Sequence, residues 1–163
     1  MLLRPMTDTD AEAVLALNLS NEDVTSPLDH ARLAEIRAVA RRADVVEVDG
    51  QVAAFVLVLP ADAPYDSTNL AWFRRNLHGD FLYLDRVVVA QEHRRAGIGG
   101  MLYDAAEAAA RQAGRLALEV NVEPPNEASL AFHDSRGYVE AGRLAQESGT
   151  VTLMLVKELT PGG

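Results

Sequence analysis

The chain has 163 residues, 48% of them hydrophobic and 24% charged, with a formal net charge of −9. That length suits one domain with its own core, and the acidic balance, with arginines scattered rather than patched, excludes the usual profile of a nucleic-acid binder. The absence of cysteine excludes disulfides, thiolate metal sites and a cysteine nucleophile, and it fits a reducing, cytoplasmic setting.

The N-terminus, Met-Leu-Leu-Arg-Pro, lacks the apolar stretch of a signal peptide. No apolar run approaches the length of a membrane span. Leu2 to Arg4 reads as a short strand ended by Pro5. Thr7 to Asp10 has the spacing of a capping box, ahead of Ala11, Val14, Leu15 and Leu19 at helical spacing. Ser20 to Leu28 is a polar loop, and a second helix is predicted over Asp29 to Arg42. Asp44 to Pro60 reads as a hairpin turning at Asp49–Gly50. Ala61 to Asp80 is a long mixed connection, of the kind that is functional or carries a short helix of its own.

A strand over Phe81 to Ala90 leads into a polar turn from Glu92 to Gly97. A helix from Ile98 to Ala113 follows, capped by Gly114, and then a strand from Leu116 to Val122. This is a βαβ unit, whose crossover pairs parallel strands. Asn126 is an N-cap for a helix running to Arg136. Tyr138 to Leu144 and Thr150 to Leu159 close the chain as antiparallel strands. The order predicts one α/β domain, residues 1–163, on a mixed sheet.

The segment Arg94–Arg95–Ala96–Gly97–Ile98–Gly99–Gly100 carries the strongest chemical signal. A helix N-terminus presents unpaired N–H groups and the positive end of its dipole. Phosphate sits there when no side chain blocks the approach. Gly97, Gly99 and Gly100 remove the side chains, and Arg94 and Arg95 add charge. The segment is not a P-loop, because no Lys-Ser/Thr pair follows. It is not a dinucleotide fingerprint either, because the glycine spacing differs. The plain alternative is a glycine-rich helix start with surface arginines.

Arg94-x-x-Gly97-x-Gly99 resembles the R/Q-x-x-G-x-G/A motif of GNAT acetyltransferases. It follows Val87–Val88–Val89–Ala90, where that family has its cofactor-contacting strand. Asn126, Phe132 and Gly137–Tyr138 resemble the family's later N…A…FY…GF segment. The order of elements matches over nearly the whole chain. The resemblance implies the GNAT fold, a mixed central sheet of about seven strands with about four helices. It implies acetyl-CoA as co-substrate, an amine acceptor (small molecule or peptide), no metal, and direct attack without an acetyl-enzyme. Dimers are common in the family, so a homodimer is one expectation. The pantetheine would pair with the backbone of Val87 and Val89, in a splayed gap between parallel strands. The pyrophosphate would lie on Arg94, Arg95, Ala96, Gly97, Ile98, Gly99 and Gly100. Asn126 and Phe132 would border the cofactor, and a bulge would free an oxyanion-binding N–H near Val88.

Acyl transfer to an amine needs a base, a positioned thioester, donors for the oxyanion and a stabilised leaving group. Charges inside apolar strands point to the base: Glu119 within Leu116 to Val122, and Asp85–Arg86 within Phe81 to Val89. A buried charge without a partner is expensive, so a plain salt bridge is the alternative for Asp85. Glu119 resembles the strand glutamate that some protein N-terminal acetyltransferases use as base, with an interval to Asn126 two residues longer than theirs. Glu119 is therefore the expected base and Asp85 the second choice. His133 stands where the family has tyrosine. As a histidinium, with a reference pKa of about 6.5, it could protonate a thiolate; Tyr83 and Tyr138 are fallbacks. The substitution also leaves open a non-catalytic acyl-CoA-binding domain. The loops Asn21 to Asp29 and Tyr65 to Phe73 are expected to wall the acceptor site, with Trp72 or Phe73 against the acceptor.

Overall fold

The computed structural model describes residues 1–22 and 25–161. Seven strands form one sheet in the order β1-β2-β3-β4-β5-β7-β6. They are β1 (Leu2–Pro5), β2 (Arg42–Val48), β3 (Gln51–Pro60), β4 (Leu82–Val89), β5 (Arg115–Glu123), β6 (Val139–Ala145) and β7 (Val151–Glu158). Neighbours are antiparallel except β4 and β5, the parallel pair predicted for the βαβ unit. Among the described residues five α-helices accompany the sheet: α1 (Ala11–Leu19), α2 (His30–Val39), α3 (Thr68–Asn76), α4 (Ile98–Ala110) and α5 (Glu127–Ser135).

The additional helix is α3, inside the Ala61–Asp80 connection. Ser67 caps it by accepting from the Leu70 N–H at 3.2 Å. Leu70 and Phe73, three residues apart, are fully buried on its inner side. Helix α2 stops at Val39 rather than Arg42, because Arg42 already opens β2 opposite Val58. The loop expected over Ser20 to Leu28 includes Asp23 and Val24, which lie outside the described residues.

Side chains of β3 alternate between two cores. Phe55, Leu57 and Leu59 face Val14 of α1, Leu33 and Ile36 of α2 and Phe73 of α3. Ala54, Val56 and Val58 face Ile98, Leu102 and Ala106 of α4. Strand β3 therefore reads as one long apolar run in sequence, because both of its faces are covered. Each large side chain buried this way contributes about 1.5–3 kcal/mol.

Two irregularities shape the site. The first is a bulge in β4: Leu57 pairs with Arg86 and Val58 with Leu84, leaving Asp85 extra. It resets the alternation, so Tyr83 and Val88 lie on one face although they are five positions apart. The second is a divergence. β4 and β5 pair only at Leu82↔Leu116 and Tyr83↔Ala117, and beyond those residues the strands part.

Candidate active site

The turn between β4 and α4 leaves room for an anion. Gly97 sits at the helix N-cap with φ of 85°, in the left-handed region that disfavours a side chain. A Cβ at Gly97 or at Gly99 would meet nothing within 4 Å, so the space over the first turn of α4 is open. The N–H groups of that turn lack intrahelical acceptors. This open cradle fits a pyrophosphate. Arg95 also takes a left-handed backbone, φ 68°, which costs about 1–2 kcal/mol for a residue with a Cβ. The Arg94 guanidinium donates to the Asn21 side-chain oxygen, just past the end of α1, at 2.6 Å.

The backbone of β4 faces the gap with alternate residues. The Ala90 N–H donates to the Ala53 carbonyl at 2.8 Å. Alternation along an antiparallel pair then turns Val88 toward its partner Phe55 as well. Val87 and Val89 are left pointing their backbone groups into the gap. The bulge sits at Asp85 rather than near Val88, and Val88 keeps its regular pairing. Of the two valines, Val87 is the nearer to the Tyr83–Ala117 pair where the gap begins.

On the α1–α3 face, the gap opens into a cavity of about 220 Å³ with Glu119, Tyr83, Asp85 and Arg86 among its lining residues. Tyr83 donates its hydroxyl to both Glu119 oxygens, at 2.8 and 2.9 Å, and the Asn69 amide donates at 2.8 Å. Glu119 keeps a small area toward the cavity but is otherwise surrounded by protein. Burial pushes its carboxyl up to about 8, helped by the Asp85 charge and opposed by the bonds from Tyr83 and Asn69. Asp85 bonds the Arg86 guanidinium at 2.7 Å, with both side chains buried. Arg86 also donates to Asn18 Oδ1 at 3.1 Å and to the Ser26 carbonyl at 2.9 Å. The bulge is what lets two consecutive charged residues share one face and pair.

His133 lies on the other side of the sheet, in an aromatic cluster with Tyr103, Phe132 and Tyr138. Its Nδ1 donates to the Ser129 carbonyl at 2.6 Å, which fixes the proton there, so Nε2 accepts from the Tyr103 hydroxyl at 2.6 Å. Burial pushes the imidazole below its ordinary value, and a neutral ring results. The charged donor expected from the sequence does not suit this arrangement. Tyr138 donates to buried Glu107 at 2.9 Å and serves packing. Phe132 packs edge-on to Tyr103, with centroids 5.0 Å apart. Asn126 caps α5, accepting from the Ser129 N–H at 3.3 Å. The two extra residues before it are taken up by a Val122↔Pro125 bridge and by an Asn126 N–H bond to the Asn121 carbonyl.

Sequence reading missed Gln146 and Tyr103, and named Asn69 only as part of the loop expected to wall the acceptor site. Asn69 and Gln146 sit in segments with no periodic signal, and Tyr103 looks like one more apolar position of α4. Phe73 is core, stacked near Phe81 and Tyr83, whereas Trp72 packs against β6. No cluster of potential metal ligands occurs among the described residues, and none of their helices is long and apolar enough to cross a membrane.

The acetyltransferase (GNAT) family pattern matches residues 12–138. No curated protein matches the sequence. Among solved structures, Naa20 of Chaetomium thermophilum, determined with a bisubstrate analogue, shares 21% identity at a TM-score of 0.79, covering 98% of this chain and 87% of its own. Ard1 of Thermoplasma volcanium shares 18% identity at 0.76, covering 97% of both chains. A ribosomal-protein-alanine N-acetyltransferase of Brucella melitensis shares 28% identity at 0.71, covering 98% of this chain and all of its own (100%).

Proposed function

Since the chain belongs to the GNAT acetyltransferase family, we propose that it moves an acetyl group from acetyl-CoA to a primary amine by direct attack. The observation that carries this reading is the parting of β4 and β5 after Tyr83 and Ala117, with the glycine turn at one end of the gap and Glu119 at the other.

The first turn of α4, from Gly97 to Gly100 with Arg94 and Arg95 beside it, would hold the pyrophosphate. Val87 and Val89 would pair with the pantetheine through their backbone, and Asn126 and Phe132 would flank it. When bound, acetyl-CoA supplies an acyl group activated as a thioester. Glu119 takes the proton from the attacking amine. Its raised pKa suits a base that works near neutral pH. The Val87 N–H donates to the developing oxyanion. Asp85, paired with Arg86, adds negative charge beneath the amine and helps hold Glu119 up. His133 and Tyr103 act as a neutral hydrogen-bonded pair on the cofactor side. Burial lowers the His133 pKa and raises that of Glu119, so a histidinium acid and a carboxylate base do not suit the same pH. The departing thiolate, with a reference pKa of about 8.5, therefore leaves without that acid.

Thermal unfolding with acetyl-CoA, ATP and NAD tests the reading. Acetyl-CoA at 100 times its dissociation constant adds about 2.7 kcal/mol, and ATP and NAD do not match it. A larger shift with either nucleotide would overturn the assignment. Binding of acetyl-CoA without acetylation of any amine would leave an acyl-CoA-binding domain.

A further inference from the structure

The segment 61–76, which carries α3, is fastened across the face that holds Glu119. On one side it meets α2: the Arg32 guanidinium lies 4.0 Å over the Tyr65 ring and donates to the Asp66 carbonyl. On the other side it meets the β6–β7 hairpin. The Gln146 amide donates to Asn69 Oδ1 at 2.9 Å, while Asn69 donates to Glu119 at 2.8 Å. Gln146 is itself fixed by Thr152 Oγ1 at 2.9 Å. The Trp72 ring lies so close to β6 that a Cβ on Gly142 would stand 2.6 Å from it, so only glycine permits this approach.

These contacts form a continuous bridge from α2 to β7 over the base. Beneath it the cavity measures about 220 Å³, below the roughly 300–1,000 Å³ of pockets for drug-sized ligands. Every lining residue carries a polar group, Tyr65 and Tyr83 included. A polypeptide laid along this face would have to cross the bridge and would find no apolar subsite for its side chains.

We propose, resting on the acetyltransferase reading above, that the acceptor is a small polar amine of about amino-acid size, and that the 61–76 segment excludes peptide chains. Asn69 is the residue that links the two functions, because its amide touches both the base and the hairpin.

The test is an acceptor series with acetyl-CoA, read by release of the CoA thiol. It comprises free amino acids, amino alcohols and aminosugars, and amino-acid amides with the dipeptides and tetrapeptides that share their first residue. Small amines turn over, and kcat/KM falls at least about ten-fold from amide to tetrapeptide. Trp72→Ala and, separately, Gln146→Ala loosen the bridge without touching Glu119. Each narrows the gap between amide and tetrapeptide, and the pair guards against one variant failing to fold. Equal or better turnover of tetrapeptides by the native enzyme would overturn the inference and leave the acetyltransferase reading standing. Acetyl-CoA binding with no turnover of either class would overturn it too. Failure to bind acetyl-CoA, seen in the unfolding assay, would overturn both.

Discussion

Glu119 gives the molecule a pH dependence of definite sign. Its folded pKa of about 8 exceeds the ordinary carboxylate value of about 4.3. Between those values the folded state holds a proton that the unfolded chain has lost. Stability therefore falls as pH rises through that window and levels off above 8. Removing the charge reverses the loss: Glu119→Gln gains about 2–4 kcal/mol over the native protein at pH 9 and little at pH 5, read from denaturant unfolding at both pH values. Activity moves oppositely. The native kcat/KM climbs with pH to a plateau near 8, with no descending limb around 6.5, and Glu119→Gln loses about 10²–10⁴-fold. A variant whose gain over the native protein is no larger at pH 9 than at pH 5, or a rate that peaks near pH 6, would remove Glu119 from the role of base.

Among the elements, those with a complete periodic pattern and a local end signal were legible. Strand β3, the Asp49–Gly50 turn and helix α4 fall where the sequence put them, apart from the last turn of α4. The bulge at Asp85 was not legible, since it depends on the register against β3 rather than on any residue type. Asn69 and Gln146 were hidden for a related reason: they meet across 77 positions of chain, and nothing local marks either. Within α4, the glycines allow binding and folding to be separated. Substitution of Gly97 strains a left-handed backbone and confuses the two. Gly99 has no such backbone and faces open space. Gly99→Leu raises stability by about 0.5–1 kcal/mol through helix propensity and weakens acetyl-CoA binding about ten-fold or more by filling the anion cradle. Calorimetric titration beside a melting curve checks both. Unchanged affinity would take the pyrophosphate off this turn.

At the scale of the whole molecule, the sheet is nearly two sheets. β1 to β4 form one antiparallel run and β5, β7 and β6 another, and between them stand two paired positions, Leu82↔Leu116 and Tyr83↔Ala117. Helix α4 packs across the junction through Ile98 and Leu102, but among the described residues no strand pairs with the β5-side edge of β4 beyond Tyr83. A ligand with amide groups in that gap supplies the missing pairing, and it must do so with a period of two. Hydrogen exchange at single-residue resolution reads this directly. Without ligand, the Val88 amide is protected by Phe55 across β3, and the Val87 and Val89 amides exchange quickly. With saturating acetyl-CoA, Val87 and Val89 slow markedly and Val88 changes little, whereas ATP leaves all three as they were. Slowing confined to Val88 would mean the register against β3 is misread. Unchanged exchange at all three, in a protein whose melting temperature nonetheless rises with acetyl-CoA, would place the ligand outside the gap and dissolve the link between the divided sheet and the chemistry.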